Sequence, residues 1–203
     1  MVDLKKMSRK EKIEYIWDYY KIHIIATMIA IFAVSSFIYS YVTKVEYVFN
    51  ITILSNDMDE NTRANLEKQI TNYVVGKGEK RKQAAVEVMP ITDTGNSSPM
   101  TAQYMQKFMV KLAAGEIDLV IFDRSMLETY TKQEALVKLD DIVNDKSVQS
   151  VSDNTKGVYA IEADNIKILK DVGFNTKDKL VGIISSGKQK EKAVSVLKWM
   201  INK

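Results

Sequence analysis

The chain has 203 residues, 46% apolar and 27% charged, with two prolines, eight glycines, no cysteine and a formal net charge of +3. That charged fraction excludes a polytopic membrane protein, and the small net charge excludes a nucleic-acid footprint. The lack of cysteine excludes a disulfide framework, a thiolate metal site, a cysteine nucleophile and a cysteine-linked lipid anchor.

The first 21 residues are basic and aromatic, and residues 22–43 contain no Lys, Arg, Asp or Glu. As a helix, that uncharged run rises about 33 Å, enough for a hydrocarbon core of roughly 30 Å. Trp17, Tyr19 and Tyr20 precede it, while Tyr39, Tyr41 and Tyr47 stand at or after its end, as aromatic belts do. Lys5, Lys6, Arg9, Lys10, Lys12 and Lys21 lie before the run, and Lys44 alone follows it before Arg63. This asymmetry predicts a cytoplasmic N-terminus and an extracytoplasmic C-terminal domain. A cleaved signal peptide is the competing reading, but the run is long and its exit, Phe37-Ile38-Tyr39-Ser40-Tyr41, is bulky.

Ser8 and Glu11 have the spacing of a capping box, which predicts a helix from about Arg9 onward. Its first turns place Ile13, Ile16, Trp17 and Tyr20 on one side, suited to the headgroup interface. Further along, Ala26, Ala30, Ala33, Ser36 and Ser40 share an arc of about 120°. A face of small residues lets a second helix approach closely, although small residues also occur in any span.

From residue 45 onward, basic and acidic side chains are equal in number. Residues 45–54 alternate as a strand. A helix follows, capped near Asp59, with Leu66, Ile70, Tyr73 and Val74 as its buried stripe and Gly76 as terminator. Residues 84–91 read as a second strand. Ser98-Pro99 opens a helix that buries Tyr104, Phe108 and Leu112 and stops at Gly115. Residues 117–122 are nearly continuously apolar, as a strand buried on both faces is, and Asp123 ends it and caps a helix over 125–133. Residues 136–143 connect, and 144–156 carry the least structural signal. Strands at 157–163 and 180–186 flank a short helix near 165–172. A last helix, 188–202, buries Val194, Leu197, Met200 and Ile201. Strands alternating with helices predict one α/β sandwich with a mainly parallel sheet, giving a division into 1–21, 22–43 and 45–203.

The segment Ala114-Gly115-Glu116-Ile117-Asp118-Leu119-Val120-Ile121-Phe122-Asp123, then Leu127, then Lys132-Gln133-Glu134-Ala135-Leu136-Val137-Lys138-Leu139-Asp140-Asp141, resembles extracellular solute-binding proteins of the type II class. Val181-Gly182-Ile183-Ile184-Ser185 with Ala193 to Met200 is similar to the strand and helix that complete the same lobe. The N-terminal stretch from Lys10 to Lys21 looks like the start of uncharacterised single-pass membrane proteins of low-GC Gram-positive bacteria. The resemblance covers about 90 residues. It implies a solute-binding-like lobe, with room for little more than one of the two lobes such proteins close over ligand, and it transfers no ligand residue.

Three chemical motifs stand out. Asp93-Thr94-Gly95 matches the aspartic-protease triplet, but that chemistry needs two carboxylates sharing a proton, and Asp-Thr-Gly-Asn is ordinary turn composition. Gly182 to Lys188 has P-loop spacing, with Gln189 where the magnesium-binding Ser or Thr belongs. Ser55, Asp57, Thr92, Asp123, Arg124 and Ser186 follow predicted strands. In open parallel sheets ligands sit beyond the strands' carboxyl ends, so these six are the candidate ligand residues; the competing reading has them capping helices and turning the chain.

With His23 the only histidine, a nucleophile–histidine pair or transition-metal centre in the domain lacks its donors, and no cofactor is expected. The expected role is a non-enzymatic, membrane-anchored extracytoplasmic binding or accessory module, associated with a transporter or other membrane complex. Its partners would be the lipid bilayer, another transmembrane protein or a second copy, and a small solute or peptide. The alternative is a structural subunit acting through its membrane helix, with the domain as spacer.

Overall fold

The computed structural model describes residues 8–55, 57–76, 78–79, 81–91, 99–140, 150–152 and 157–202, without the side chains of 11, 16 and 150–152. The chain divides between Lys44 and Val45 into two compact units. The first contains helix α1, Arg9–Thr43. Its opening turn is set by the Lys12 N–H donating to the Ser8 carbonyl at 3.0 Å, where the sequence places the start. The Glu11 half of the expected capping box lies outside the described side chains.

Residues Trp17–Thr43 of α1 are long and apolar enough to cross a membrane. None of their large side chains is buried and all but Ile24 are exposed, Phe32 and Phe37 by more than three quarters. The Thr27 and Thr43 hydroxyls donate to the carbonyls of His23 and Tyr39 at 2.8 and 2.7 Å, so two polar groups of an apolar helix are satisfied within it. Tyr19 meets Tyr20 edge-on, their ring centroids 4.8 Å apart, near the start of this apolar stretch.

The second unit is an α/β domain. Its strands are β1 (Glu46–Leu54), β2 (Lys82–Met89), β3 (Leu119–Asp123), β4 (Ser150–Ser152), β5 (Val158–Glu162) and β6 (Lys179–Ile183). Its helices are α2 (Glu60–Val74), α3 (Pro99–Ala113), α4 (Leu127–Lys132), α5 (Lys167–Asp171) and α6 (Lys190–Asn202). The sheet order is β2-β1-β3-β6-β5-β4. β1 pairs in parallel with β2 and β3, while β3–β6, β6–β5 and β5–β4 are antiparallel. Four of the six strands therefore run the same way, and β6 and β4 run against them.

Two apolar layers enclose the sheet, as the period-two rule requires. Leu119 and Ile121 pack with Phe49, Ile51, Leu66, Ile70, Leu169, Val196, Leu197 and Met200, under α2, α5 and α6. Val120 and Phe122 face the opposite way, onto Leu54, Met89, Phe108, Tyr130, Leu136 and Ile184, under α3 and α4. The continuous apolar run of β3 is thus explained by burial on both faces. Gly182 in β6 makes room in the second layer, because a Cβ there would lie 3.0 Å from the Leu136 side chain.

Several expected details are corrected. Asp123 makes no side-chain cap; a 3-10 turn, Arg124–Met126, leads into a helix shorter than expected. Gly76 is not a left-handed terminator: α2 ends with Val75 in extended backbone, and Gly78 supplies the positive φ of the following turn. Tyr73 is exposed and stacks on Trp199 at 4.4 Å rather than joining the core. In α6 the buried positions are Ala193, Val196, Leu197 and Met200, with Val194 and Ile201 only partly covered. β4 falls in the stretch with least sequence signal.

Candidate functional site

The parallel strands β1, β2 and β3 bring their carboxyl ends to one edge, where β5 also ends and β6 begins. Ser55 follows β1 and is fully buried. Its N–H donates to the Met89 carbonyl at 3.0 Å, and its Oγ accepts the Asp57 N–H at 3.1 Å. That short turn exposes Asp57. Asp59 then caps α2, its carboxylate accepting the N–H groups of Asn61 at 2.8 Å and Thr62 at 3.0 Å. The bonds from Thr62 hold the Asp59 carboxyl below its ordinary range.

At the end of β3, the Asp123 carboxylate takes the Lys179 ammonium, which is itself buried at the start of β6. Arg124 bonds Glu162, the last residue of β5, at 2.6 Å, so this ion pair reaches across the beginning of β6. The Arg124 N–H also donates to the Asp178 carbonyl at 2.9 Å. Beneath them lies Tyr130, buried between Phe108 and Phe122, with its hydroxyl donating to the Met126 sulfur at 3.6 Å. Burial, reinforced by the nearby Asp123 charge, pushes the Tyr130 phenol up to about 12.

Of the six candidate ligand residues, Ser55, Asp57, Asp123 and Arg124 stand at this edge. Thr92 lies outside the described residues, as does the Asp93-Thr94-Gly95 triplet. Ser186 lies at the opposite end of the sheet, because β6 runs antiparallel to β3 and its carboxyl end meets the amino end of that strand. There the Ser186 hydroxyl donates to the Leu112 carbonyl at 2.6 Å. Lys179, Glu162 and Tyr130 complete the edge and were not singled out from sequence; their placement depends on the direction of β5 and β6.

The stretch from Gly182 to Lys188 is no phosphate cradle. Gly182 sits inside β6, the Gly187 N–H donates to the Ile184 carbonyl at 3.2 Å, and the Gln189 N–H donates to the Asp118 carboxylate at 3.1 Å. This segment instead locks against the turn after α3. Gly115 has φ +64°, and a Cβ there would fall 2.5 Å from the Ser186 carbonyl oxygen, so glycine is required on both counts.

Chemically, the two cations at the carboxyl edge are each matched to a carboxylate. The pairs tie the ends of β3, β5 and β6 together, while Asp57 is exposed beside them. Among the described residues, no group of three or more His, Cys, Asp or Glu side chains is arranged to hold a metal ion.

Beyond this edge, α3 carries an exposed apolar side. Met100, Met105, Met109 and Val110 are all exposed, while Phe108 alone of its residues is buried. In α1, the small residues Ala26, Ala30, Ala33, Ser36 and Ser40 are exposed along the helix.

No family model and no curated protein matches the chain. Among solved structures, the chain is similar to an extracellular solute-binding protein family 1 from Alicyclobacillus acidocaldarius subsp. acidocaldarius DSM 446, with 17% identity and a TM-score of 0.38. The alignment covers 59% of the present chain and 28% of that protein, and at this level it assigns neither ligand nor residue role.

Proposed function

We propose that the chain is a single-pass membrane protein whose α/β domain is an extracytoplasmic accessory or binding module of a membrane complex. The observation that carries this reading is α1: 27 successive residues, Trp17–Thr43, whose apolar side chains are exposed and have bilayer-spanning length. In water that surface would be strongly unfavourable, at about 25 cal/mol for each Å² of apolar area. Lipid or a neighbouring helix removes the penalty. The basic excess before the span supports a cytoplasmic N-terminus.

A binding role is favoured over catalysis because the domain has neither His nor Cys, and its clustered charges are engaged in pairs. Docking to another membrane protein, such as a transporter, is favoured over capture of a charged solute. Arg124 and Lys179 at the carboxyl edge are already paired with carboxylates, whereas α3 offers exposed methionines, which adapt readily to protein surfaces. The second reading, a subunit acting through α1 with the domain as spacer, is supported by the small-residue arc of α1.

The cysteine-free chain permits a direct test. Single reporters Lys12→Cys and Lys198→Cys are treated with a membrane-impermeant maleimide in intact cells. Labelling of position 198 alone, with position 12 reacting only after permeabilisation, is the expected result; the reverse pattern, or release of the chain by alkaline carbonate, overturns the reading. Purification in mild detergent then identifies co-eluting proteins, and a thermal-shift screen of the full chain with solutes and peptides separates docking from solute capture.

A further inference from the structure

Among the described residues, β2 is an edge strand of eight residues, and its outer side has no neighbouring strand in the sheet. Such an edge presents unpaired N–H and C=O groups that another chain can use. Here they are occupied by side chains of α2. The Thr71 hydroxyl accepts the Ala84 N–H at 3.0 Å. One Glu67 carboxylate oxygen accepts the Val86 N–H at 3.2 Å, and the Arg63 guanidinium donates to the Val86 carbonyl at 3.1 Å. The same guanidinium nitrogen bonds that Glu67 oxygen at 2.8 Å, closing a ring.

In an antiparallel hydrogen-bonded pair, each residue exchanges both an N–H···O and an O···H–N bond with the residue opposite. Glu67 and Arg63 give Val86 that same acceptor and donor. The pair therefore copies in side chains what one residue of an added strand would supply in backbone. Glu60 holds Arg63 from its other side, with a second ion pair at 2.5 Å, so the guanidinium is fixed before it reaches the strand.

We infer that α2 is a guard on the β2 edge: Arg63, Glu67 and Thr71 occupy the positions of an incoming strand and keep β2 of a second copy from pairing there. The occupant is a second copy because two β2 edges, once stripped of these side chains, offer each other the same donors and acceptors about a two-fold axis across the strand. Its residues 82–89, KQAAVEVM, are free of Pro and Gly and compatible with extended pairing.

The test uses the full chain in detergent micelles with one introduced cysteine. Ala85→Cys lies in β2 between the two guarded residues, and Lys198→Cys on α6 reports general aggregation. Combining Ala85→Cys with Arg63→Ala, Glu67→Ala and Thr71→Ala should raise disulfide-linked dimer at least tenfold over the guarded chain, with no rise for Lys198→Cys in the same background. No rise at position 85 with unchanged circular dichroism, or an equal rise at both positions, overturns the inference. Should the triple variant fail to fold, Thr71→Val removes only the acceptor for Ala84. It should then give a smaller, several-fold rise together with faster hydrogen exchange at the Ala84 amide in the dilute sample; failure of either overturns the inference.

Discussion

Asn50 and Asp118 are joined twice: the Asp118 N–H donates to the Asn50 carbonyl at 3.0 Å, and the Asn50 N–H donates to the Asp118 carboxylate at 2.9 Å. A side chain thereby extends the β1–β3 ladder one step before the start of β3, and its second oxygen takes the Gln189 N–H just before α6. Three separate parts of the domain meet on one buried carboxylate.

Replacing Asp118 by Ala should therefore leave the part-buried Asn50 and Gln189 amides without this partner. A loss of about 1–3 kcal/mol per abandoned donor is expected in urea unfolding of the full chain. Burial raises the Asp118 carboxyl above its ordinary range, and the bonds from Asn50 and Gln189 offset this only in part. The folded form thus binds its proton more tightly than the unfolded form. The contribution of Asp118 to stability is fully present below the unfolded value and is lost as pH rises through the folded one. The wild-type advantage over Asp118→Ala should shrink across that rise.

Glu87 behaves with the opposite sign. Burial would raise it, but Lys107 at 2.5 Å and Lys111 at 2.6 Å overcome that and hold it below its ordinary range. Its stabilisation is present above the unfolded value and is lost as pH falls through the folded one. Glu87→Gln should cost about 0.5–1 kcal/mol near neutral pH, since the lysines are partly exposed, and nothing in acid. Paired chemical-denaturation series on the two chains measure the difference.

Tyr130 titrates at the other extreme. Its phenol ionises near 10 when unfolded and at about 12 in the fold. The unfolded chain loses this proton first, so the Tyr130 contribution is intact below pH 10 and declines as pH rises toward 12. Ultraviolet titration should show one phenol late to ionise, absent from Tyr130→Phe. If the alkaline midpoints of the two chains coincide, the hydroxyl is not buried as described.

Ala30→Leu and Ala33→Leu should weaken association through α1, because each puts a branched side chain into the small-residue arc. Co-purification of a partner, or of a differently tagged second copy, is expected to fall at least several-fold while membrane insertion is unchanged. Unaltered pull-downs would mean that this face only meets lipid.

How much of this was legible in the sequence varies with the range of the interaction involved. The long apolar helix could be read because an uncharged run of such length is itself the signal. β3 could be read because burial on both faces leaves an unbroken apolar string. The direction of β6 could not, since nothing local distinguishes a parallel strand from an antiparallel one, and Ser186 was consequently placed at the wrong edge. The Asp123–Lys179 pair joins residues 56 apart and follows from that same direction. β4 was missed because Ser150-Val151-Ser152 is too short and polar to show a period. Asp118 did leave a trace: a carboxylate inside an apolar strand must find partners, and that alone marks it.

The position of β6 has a consequence for how the domain is made. β6, the last of the described strands in chain order, lies inside the sheet, between β3 and β5. Without β6, the β2-β1-β3 and β5-β4 parts share no strand-to-strand ladder among the described residues, and the Leu139 N–H donating to the Val158 carbonyl at 2.7 Å links the segment after α4 to β5. The six-stranded sheet cannot close before the segment that carries β6 is available. Truncation before Lys179 should therefore yield two unjoined half-sheets open to proteolysis, rather than a smaller stable domain.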